Sequence, residues 1–162
     1  MSKRMSHLDT RGQARMVNVG DKPVTHRTAV AQGRVTMNKE AYDRVLEQDV
    51  PKGDVFAAAR IAGIQAAKKT SELIPLCHPL PVDNIAIDIT PEDENTSFVI
   101  TAAVSCSAKT GVEMEALTAV SVAALTMYDM CKSIDRSIEI TGIHLIHKTG
   151  GKSGTYERED KK

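Results

Sequence analysis

Residues 85–107 read IAIDITPEDENTSFVITAAVSCS, and this stretch decides the fold. Ile85, Ile87 and Ile89 alternate with small or polar residues, which is typical of a half-buried strand. The polar cluster at 91–96 indicates a turn, and residues 98–107 have the composition of a second strand. The middle of the chain therefore predicts two consecutive strands joined by a polar turn.

Further strands and helices flank this pair on both sides. Upstream, residues 27–37 alternate as a strand, and residues 39–48 and 55–69 have helical spacing of their apolar side chains. Downstream, residues 111–132 predict a long helix and residues 138–147 a final strand. This order predicts an α+β fold of the ferredoxin-like, split βαβ type, with an antiparallel sheet and helices on one face. Another α+β sandwich is the alternative.

The composition limits the class of protein. The 162 residues fit one domain, 1–162, for which we expect flexible ends at about 1–6 and 155–162. Acidic and basic side chains balance at 21 each, which argues against a nucleic-acid binder. The sequence has no long apolar run and no signal-peptide pattern, so we expect a cytoplasmic protein without membrane contact. Cys106 and Cys131 are expected to be small buried hydrophobes.

The start of the long helix carries two glutamates. Thr110 followed by Glu113 has the spacing of a capping box, in which the glutamate closes the helix start. That role is compatible with ligand binding by the same end of the helix. Glu115 has no such local role, and it is therefore a candidate for a functional group.

The far end of the same helix carries Asp129 and Lys132. Their spacing predicts a surface ion pair or, alternatively, a proton-transfer pair. An acid near a helix C-terminus is disfavoured by the macrodipole, from which we expect a raised pKa for Asp129. Glu115 and Asp129 are separated by about 21 Å at the usual rise per residue. If both are functional, the site combines opposite ends of this helix from two subunits.

Several basic residues are candidates for binding an anion. Lys52 precedes a helix start, where backbone N–H groups favour anions. Lys68 lies on an apolar line of the second helix, where it either reaches solvent or points into a pocket. The glycine-rich run KTGGKSG at 148–154 fails the Walker A pattern, because Ile146 stands where the first glycine is needed. It predicts either a basic flap over an anion or a mobile tail.

Histidines and cysteines do not form a metal-binding pattern. His78 lies in the proline-rich segment 74–82, which cannot be regular helix and which holds the imidazole in place. Its neighbour Cys77 lacks further ligands at suitable spacing. His144 and His147 are three apart on a strand and are expected to face opposite sides. We therefore expect no metal site.

Six ordered motifs together resemble one family, that of cyclic pyranopterin monophosphate synthase, also called molybdenum cofactor biosynthesis protein C. The resemblance runs from about His7 to Gly154. The motifs are KGDV at 52–55, AGIQAAK at 62–68, IPLCHPL at 74–80, KTGVEMEALT at 109–118, YDMCK at 128–132 and GGKSG at 150–154.

The resemblance implies an activity and an assembly. The reaction is the conversion of 3′,8-cyclo-7,8-dihydroguanosine 5′-triphosphate to cyclic pyranopterin monophosphate with release of pyrophosphate, a step of molybdenum cofactor biosynthesis. The family also implies a homohexamer, built as a trimer of dimers, with the site at the dimer interface. No cofactor is implied, although Mg²⁺ could accompany the triphosphate.

The same resemblance implies roles for individual residues. Asp129 matches the catalytic acid/base, and we expect Lys52 and Lys132 to join it in proton transfer. The substrate-binding residues are expected to be Leu76, Cys77, His78, Glu113, Met114 and Glu115, together with the cations Arg27, Lys68, Lys148 and Lys152. We also expect a lysine crowded by other cations to have a depressed pKa.

One position departs from the family pattern. Asn18 stands where the family commonly carries Asp, and we expect a positioning role there because Asn cannot act as a base. Two other classes compete with the enzyme. One is a ferredoxin-like regulatory domain that binds a small molecule, and the other is an oligomeric scaffold.

Overall fold

The computed structural model describes residues 11–159, and it contains five strands and four α-helices in that range. Elements are numbered in chain order. The strands are β1 (Thr25–Thr36), β2 (Asn84–Glu92), β3 (Ser97–Ala108), β4 (Glu139–Thr149) and β5 (Tyr156–Glu157), and the helices are α1 (Lys39–Leu46), α2 (Val55–Lys68), α3 (Thr70–Leu73) and α4 (Glu113–Cys131).

The strands form one antiparallel sheet in the order β2-β3-β1-β4-β5. The first four strands thus have the ferredoxin-like arrangement, which confirms the predicted fold class. A short 3-10 turn, Asp93–Asn95, joins β2 to β3. Thr96 follows this turn in the left-handed conformation, with φ of 46°. The hairpin predicted from residues 85–107 is therefore present, and its strands are longer than the alternation alone indicated.

One face of the sheet is covered by α2 and α4. The odd-numbered residues of β1, such as Ala29, Ala31 and Val35, are buried under these helices. Phe98 contributes the largest fully buried side chain and packs against Tyr42 with ring centroids 4.8 Å apart. Cys106 and Cys131 are fully buried, as predicted. Small side chains in α4 allow it to lie close to both the sheet and α2.

Gly63 marks the closest approach of α2 to its neighbours. A Cβ atom built there would lie 2.4 Å from Ile87 Cδ1 and 2.9 Å from the carbonyl oxygen of Ala119. No Cβ tolerates those distances, so the glycine permits the packing. The glycine in the motif AGIQAAK thus has a structural explanation at the junction of α2, α4 and β2.

Two short elements at 70–73 and 156–157 were not predicted. Helix α3 continues the chain after α2, and Thr70 Oγ1 donates to the carbonyl of Ala67 at 3.0 Å. Tyr156 and Glu157 are exposed, yet they pair with Lys148 and His147 as strand β5. Of the ends expected to be flexible, about 1–6 and 155–162, residues 1–6 and 160–162 lie outside the described residues, whereas residues 156–157 form β5.

The prediction that His144 and His147 face opposite sides is wrong. His147 pairs with Val30 and His144 with Gln32, whereas Leu145 pairs with Ala31. A bulge between His147 and Leu145 inserts one extra residue, and the two histidines therefore lie on the same side of the sheet. Both therefore lie on the face of the sheet opposite the helices. No helix within residues 11–159 is long and apolar enough to cross a membrane.

Candidate active site

Two adjoining cavities form a cleft beside the N-terminal end of α4. We call the first the basic lobe, a cavity of about 490 Å³. It is lined by Lys22, Pro23, Thr25, Arg27, Lys109, Thr110, Gly111, Glu113, Lys148, Gly151, Lys152 and Ser153. Five of these residues are lysine or arginine and one is acidic. A cavity with this lining favours an anion of high charge.

The second cavity, here called the acidic lobe, has a volume of about 420 Å³. It is lined by Val17, Val19, Lys22, Leu76, Cys77, His78, Leu80, Thr110, Gly111, Glu113, Met114 and Glu115. Two glutamates, an imidazole and apolar side chains meet here. Such a lining suits a flat ring that carries N–H donors along its edge.

Burial controls the ionisation of the acidic lobe. Glu115 is only 4% exposed, and this burial, helped by the charge of Glu113, raises the pKa of its carboxyl group. Burial also raises the pKa of the Cys77 thiol, with a further contribution from Glu115. The thiol of Cys77 therefore stays protonated at neutral pH and is a donor rather than a nucleophile.

A segment that we call the strap, residues 17–22, borders both lobes. The imidazole of His78 hydrogen bonds through Nε2 to the carbonyl oxygen of Val17 at 2.9 Å. Asn18 Oδ1 accepts from the backbone N–H of Gly20 at 2.8 Å, and Lys109 Nζ donates to the carbonyl of Gly20. Because a carbonyl can only accept, Nε2 of His78 carries the proton in this contact. The strap is thereby fixed to the proline-rich segment on one side and to the end of β3 on the other.

The predicted capping box at the start of α4 is wrong. The N-cap is Val112, without a side-chain hydrogen bond, and the helix begins at Glu113. Glu113 instead accepts a hydrogen bond from Lys148 Nζ at 2.7 Å, across the basic lobe. The helix begins two residues later than predicted, and Thr110 and Gly111, which precede it, line the cleft.

The glycine-rich loop after β4 lies over Arg27. Gly150 and Gly151 adopt positive φ angles of 97° and 74°, and a Cβ on Gly151 would lie 2.0 Å from Arg27 Nη1. Only glycine permits this contact. Buried polar atoms without a hydrogen-bond partner in the described chain occur in the same wall, at Arg27 Nε and Thr25 Oγ1. Buried polar groups normally have partners, so this wall is suited to receiving a polar ligand.

A third cluster forms at the opposite end of α4. Asp129 accepts from Lys132 Nζ at 2.7 Å and from Lys52 Nζ at 2.9 Å, and Lys52 also donates to the Asp129 carbonyl at 2.7 Å. All three side chains are partly exposed. The structure thus brings together the three residues that the sequence predicted as catalytic.

The expected pKa shifts in this cluster are wrong. The hydrogen bonds from Lys132 and Lys52 lower the pKa of Asp129 to about 2. Asp129 in turn raises the pKa of Lys132. Two direct contacts below 3 Å outweigh the helix dipole, which water screens at an exposed site. At neutral pH the Asp129 carboxylate is therefore charged, and Lys132 carries a proton.

The structure places most predicted binding residues in the cleft and leaves two groups out of it. Lys68 is exposed on the outer side of α2 and lines neither lobe. Ile61, which is 58% exposed, lies on the same face of this helix. The Asp129 cluster also lines neither lobe. One chain therefore holds two separate groups of candidate functional residues.

Sequence reasoning missed several wall residues. Lys22 and Lys109 line the cleft but were not predicted as site residues. Lys22 precedes Pro23 at the end of the strap, and Lys109 lies near Gly111 after β3. These neighbouring turn residues were the signal that could have identified the two lysines. Among residues 11–159, no group of three or more His, Cys, Asp or Glu side chains could hold a metal ion.

Comparison with known proteins agrees with this geometry. The model of the MoaC family matches residues 16–151, which include the strap, the acidic lobe, the Asp129 cluster and all of the basic lobe except Lys152 and Ser153. The chain belongs to the MoaC family. Its curated relatives carry the name cyclic pyranopterin monophosphate synthase.

Three of these MoaC relatives show how much of the chain is shared. The protein of Thermomicrobium roseum is 57% identical, covering 96% of this chain and 94% of the relative. The protein of Pelotomaculum thermopropionicum is 56% identical over 96% of this chain and 91% of its own length. That of Helicobacter pylori strain J99 is 55% identical over 94% and 96% respectively.

Proposed function

We propose that this MoaC family member is a cyclic pyranopterin monophosphate synthase of molybdenum cofactor biosynthesis. It converts 3′,8-cyclo-7,8-dihydroguanosine 5′-triphosphate to cyclic pyranopterin monophosphate and pyrophosphate. The observation that carries the proposal is the two-lobed cleft, in which a basic cavity adjoins an acidic one. A triphosphate joined to a guanine-derived ring has the same division of charge and polarity. The near full-length likeness to relatives with that name supports the same conclusion.

The two lobes divide the recognition of the substrate. Arg27, Lys148 and Lys152 contact phosphate oxygens in the basic lobe. In the acidic lobe, Glu115 accepts from N–H groups of the guanine-derived ring, while Leu76 and Met114 contact its faces. The segment 76–78 and the segment 113–115 thus hold the ring from opposite sides. A substrate that lacks either part loses half of these contacts.

The Asp129 cluster supplies general acid–base chemistry. The reaction opens a ring, rebuilds a pterin and closes a cyclic phosphate without a net change of redox state, so each step requires proton transfer. The ammonium groups of Lys52 and Lys132 donate protons, and the Asp129 carboxylate orients both through its two ion pairs. The amines formed after donation then accept protons from the next intermediate.

A complete site requires two subunits under this proposal. The cleft lies at the start of α4 and the Asp129 cluster at its end, about 21 Å apart at 1.5 Å per residue. A dimer that places the end of one α4 beside the start of the other joins the two groups, and three dimers form the hexamer. The exposed apolar side chains of Ile61 and Leu125, at 58% and 59%, offer contact area on the helical face. Lys68 on that face then reaches the site from the second subunit.

No resident cofactor is part of the proposal. Mg²⁺ could accompany the triphosphate, and phosphate oxygens would then hold it rather than a dedicated protein site. The proposal also places the protein in the cytoplasm, where nucleoside triphosphates are made.

The test is incubation of the purified protein with the cyclic triphosphate. The enzyme releases pyrophosphate and forms a product whose mass corresponds to the monophosphate. A regulatory domain binds the compound without turnover, and a scaffold neither binds nor converts it. Either of those results contradicts the proposal, and Asp129→Asn serves as the inactive control.

A further inference from the structure

Lys22 occupies a special place in the cleft, because it lines both lobes. The other residues shared by the two lobes are Thr110, Gly111 and Glu113. Lys22 is the only cation among these four shared residues. It lies in the strap and forms a backbone hydrogen bond from its N–H to the carbonyl of Val19 at 3.1 Å. The side chain is thus carried by a turn with defined geometry.

The junction of the lobes corresponds to one part of the substrate. This step rests on the proposed function, in which the ring occupies the acidic lobe and the terminal phosphates the basic lobe. The sugar-derived part and the α-phosphate connect these ends, so they lie between the lobes. The α-phosphorus is also the atom at which the cyclic phosphate forms.

We propose that Lys22 is a catalytic residue of cyclic phosphate closure, in contact with the α-phosphate. In this step, a hydroxyl oxygen of the sugar-derived ring forms a bond to the α-phosphorus. The bond from that phosphorus to the bridging oxygen breaks, and its electron pair leaves with pyrophosphate. The hydroxyl proton passes to the carboxylate at the junction, Glu113. Nothing is oxidised or reduced.

The positive charge of Lys22 stabilises the negative charge that develops in that step. Negative charge grows on the α-phosphate oxygens and on the bridging oxygen as the bonds exchange, and an ammonium group at the junction stabilises both. Lys152 differs from Lys22 because it lines the basic lobe alone, near the end that receives the β- and γ-phosphates. Removing Lys22 should therefore lower turnover, whereas removing Lys152 should weaken pyrophosphate binding. Lys152 thus provides a matched comparison for Lys22.

The experiment compares Lys22→Ala, Lys22→Arg and Lys152→Ala with the unmodified protein. Pyrophosphate release is measured at saturating substrate, and inorganic pyrophosphate is tested as an inhibitor of each active protein. For proteins too slow to assay, calorimetry measures pyrophosphate binding. Circular dichroism verifies that each variant keeps its fold.

We expect Lys22→Ala to lower turnover by about 100-fold or more, the usual scale for one group that stabilises developing charge. Its affinity for pyrophosphate should stay close to that of the unmodified protein, and Lys22→Arg should recover much of the lost turnover. Lys152→Ala should weaken pyrophosphate binding by roughly tenfold, since a charged hydrogen bond is removed.

Two results overturn the inference. One is normal turnover in Lys22→Ala. The other is a loss of pyrophosphate affinity in Lys22→Ala as large as in Lys152→Ala, which would place Lys22 at the outer phosphates. If the unmodified protein releases no pyrophosphate, the proposed function itself fails, and this control therefore separates the two claims.

Discussion

Asn18 shows how one side chain can set the shape of the cleft wall. Its Oδ1 accepts from the N–H of Gly20 at 2.8 Å, which closes a tight turn in the strap. An aspartate offers the same oxygen at the same place. The geometry at Asn18 is therefore compatible with the positioning role expected for it.

Asn18→Asp should consequently leave turnover within about threefold of normal, whereas Asn18→Ala should lower it by about tenfold by releasing the turn that carries Lys22. Steady-state assays on both variants test this. The fall in kcat should exceed the rise in KM for Asn18→Ala, since the strap carries Lys22 and the role proposed for Lys22 is in turnover. If Asn18→Asp and Asn18→Ala are equally impaired, the oxygen acceptor is not what matters.

Asp129 is the second residue for which the structure predicts the effect of a substitution. Its pKa of about 2 keeps it charged throughout the physiological range, and both lysine contacts depend on that charge. Asp129→Asn should retain the fold and lose turnover by at least about 100-fold. Asp43→Asn is the matched control, because it removes another exposed ion pair, with Lys39, far from the cleft. Near-normal turnover in Asp129→Asn removes this residue from the chemistry.

At the residue scale, the sequence predicted which side chains come together more reliably than it predicted their pKa values. The cluster of Lys52, Asp129 and Lys132 could be named from the motifs. The direction of the Asp129 pKa shift was misjudged, because the helix dipole was given more weight than the ion pair with Lys132, which is the largest cause of the shift. The second contact, from Lys52, is distant in sequence and could not be read from the local pattern.

At the scale of elements, Gly63 tests why α2 and α4 pack as they do. Gly63→Ala would force Cβ against Ile87 and the Ala119 carbonyl, at 2.4 and 2.9 Å. Overpacking of this kind typically costs about 1–3 kcal/mol of unfolding free energy. Chemical denaturation measures the cost, and Ala62→Gly in the same helix measures separately the helix-propensity difference of about 1 kcal/mol between alanine and glycine. Unchanged stability in Gly63→Ala would mean that the helices separate at little cost.

Asp135 joins α1 to the start of β4 and predicts a pH dependence of stability. Its Oδ2 accepts from Asn38 N–H and its Oδ1 from Ser137 N–H, each at 2.8 Å. Burial alone raises its pKa, but the hydrogen bonds from Ser137 and Asn38 outweigh it and the net shift is downward. A carboxyl with a lowered folded-state pKa contributes stability above its unfolded pKa of about 3.9, and that contribution disappears as the pH falls through the folded value.

Asp135→Asn replaces one acceptor with an amide N–H₂ that faces a donor. The variant should lose about 1–3 kcal/mol of unfolding free energy at pH 7. The difference from the unmodified protein should shrink as the pH falls below about 4, where both carry a neutral side chain. Denaturation curves between pH 7 and pH 3 measure this. A difference that is constant with pH would show that the charge of Asp135 is not involved.

The elements themselves were largely predictable, and their ends were not. Alternating isoleucines and the long run of small helix formers defined β2, β3 and α4. The bulge in β4 was missed, because its extra residue depends on pairing with β1 rather than on local sequence. The start of α4 was misplaced for a similar reason, since Thr110 faces the cleft and not its own helix.

At the scale of the whole molecule, the overall charge is balanced, but basic and acidic side chains are concentrated in different parts of the cleft. The 21 acidic and 21 basic residues cancel, yet five cations line the basic lobe and two glutamates the acidic lobe. A local field can therefore attract a polyanion although the chain as a whole has no basic excess. The overall composition could not reveal this local field.

The shared site makes a quantitative prediction for mixed assemblies. Under the proposed dimer, each site takes the Glu115 end of α4 from one subunit and the Asp129 end from its partner. Glu115→Ala and Asp129→Asn are each inactive alone, but a dimer of the two contains one site with both changes and one with neither. Random pairing makes half of the dimers mixed, so co-expressed subunits should recover about a quarter of normal turnover.

The matched control combines Glu115→Ala with Glu113→Ala. Both changes lie at the same end of α4, so each site of a mixed dimer remains damaged and turnover should not recover. Differently tagged subunits allow mixed assemblies to be purified before the assay. If verified Glu115→Ala and Asp129→Asn mixtures stay as inactive as this control, the two ends of α4 do not meet across a subunit interface. The chemistry must then proceed within one chain, where a ligand has to span the length of the helix.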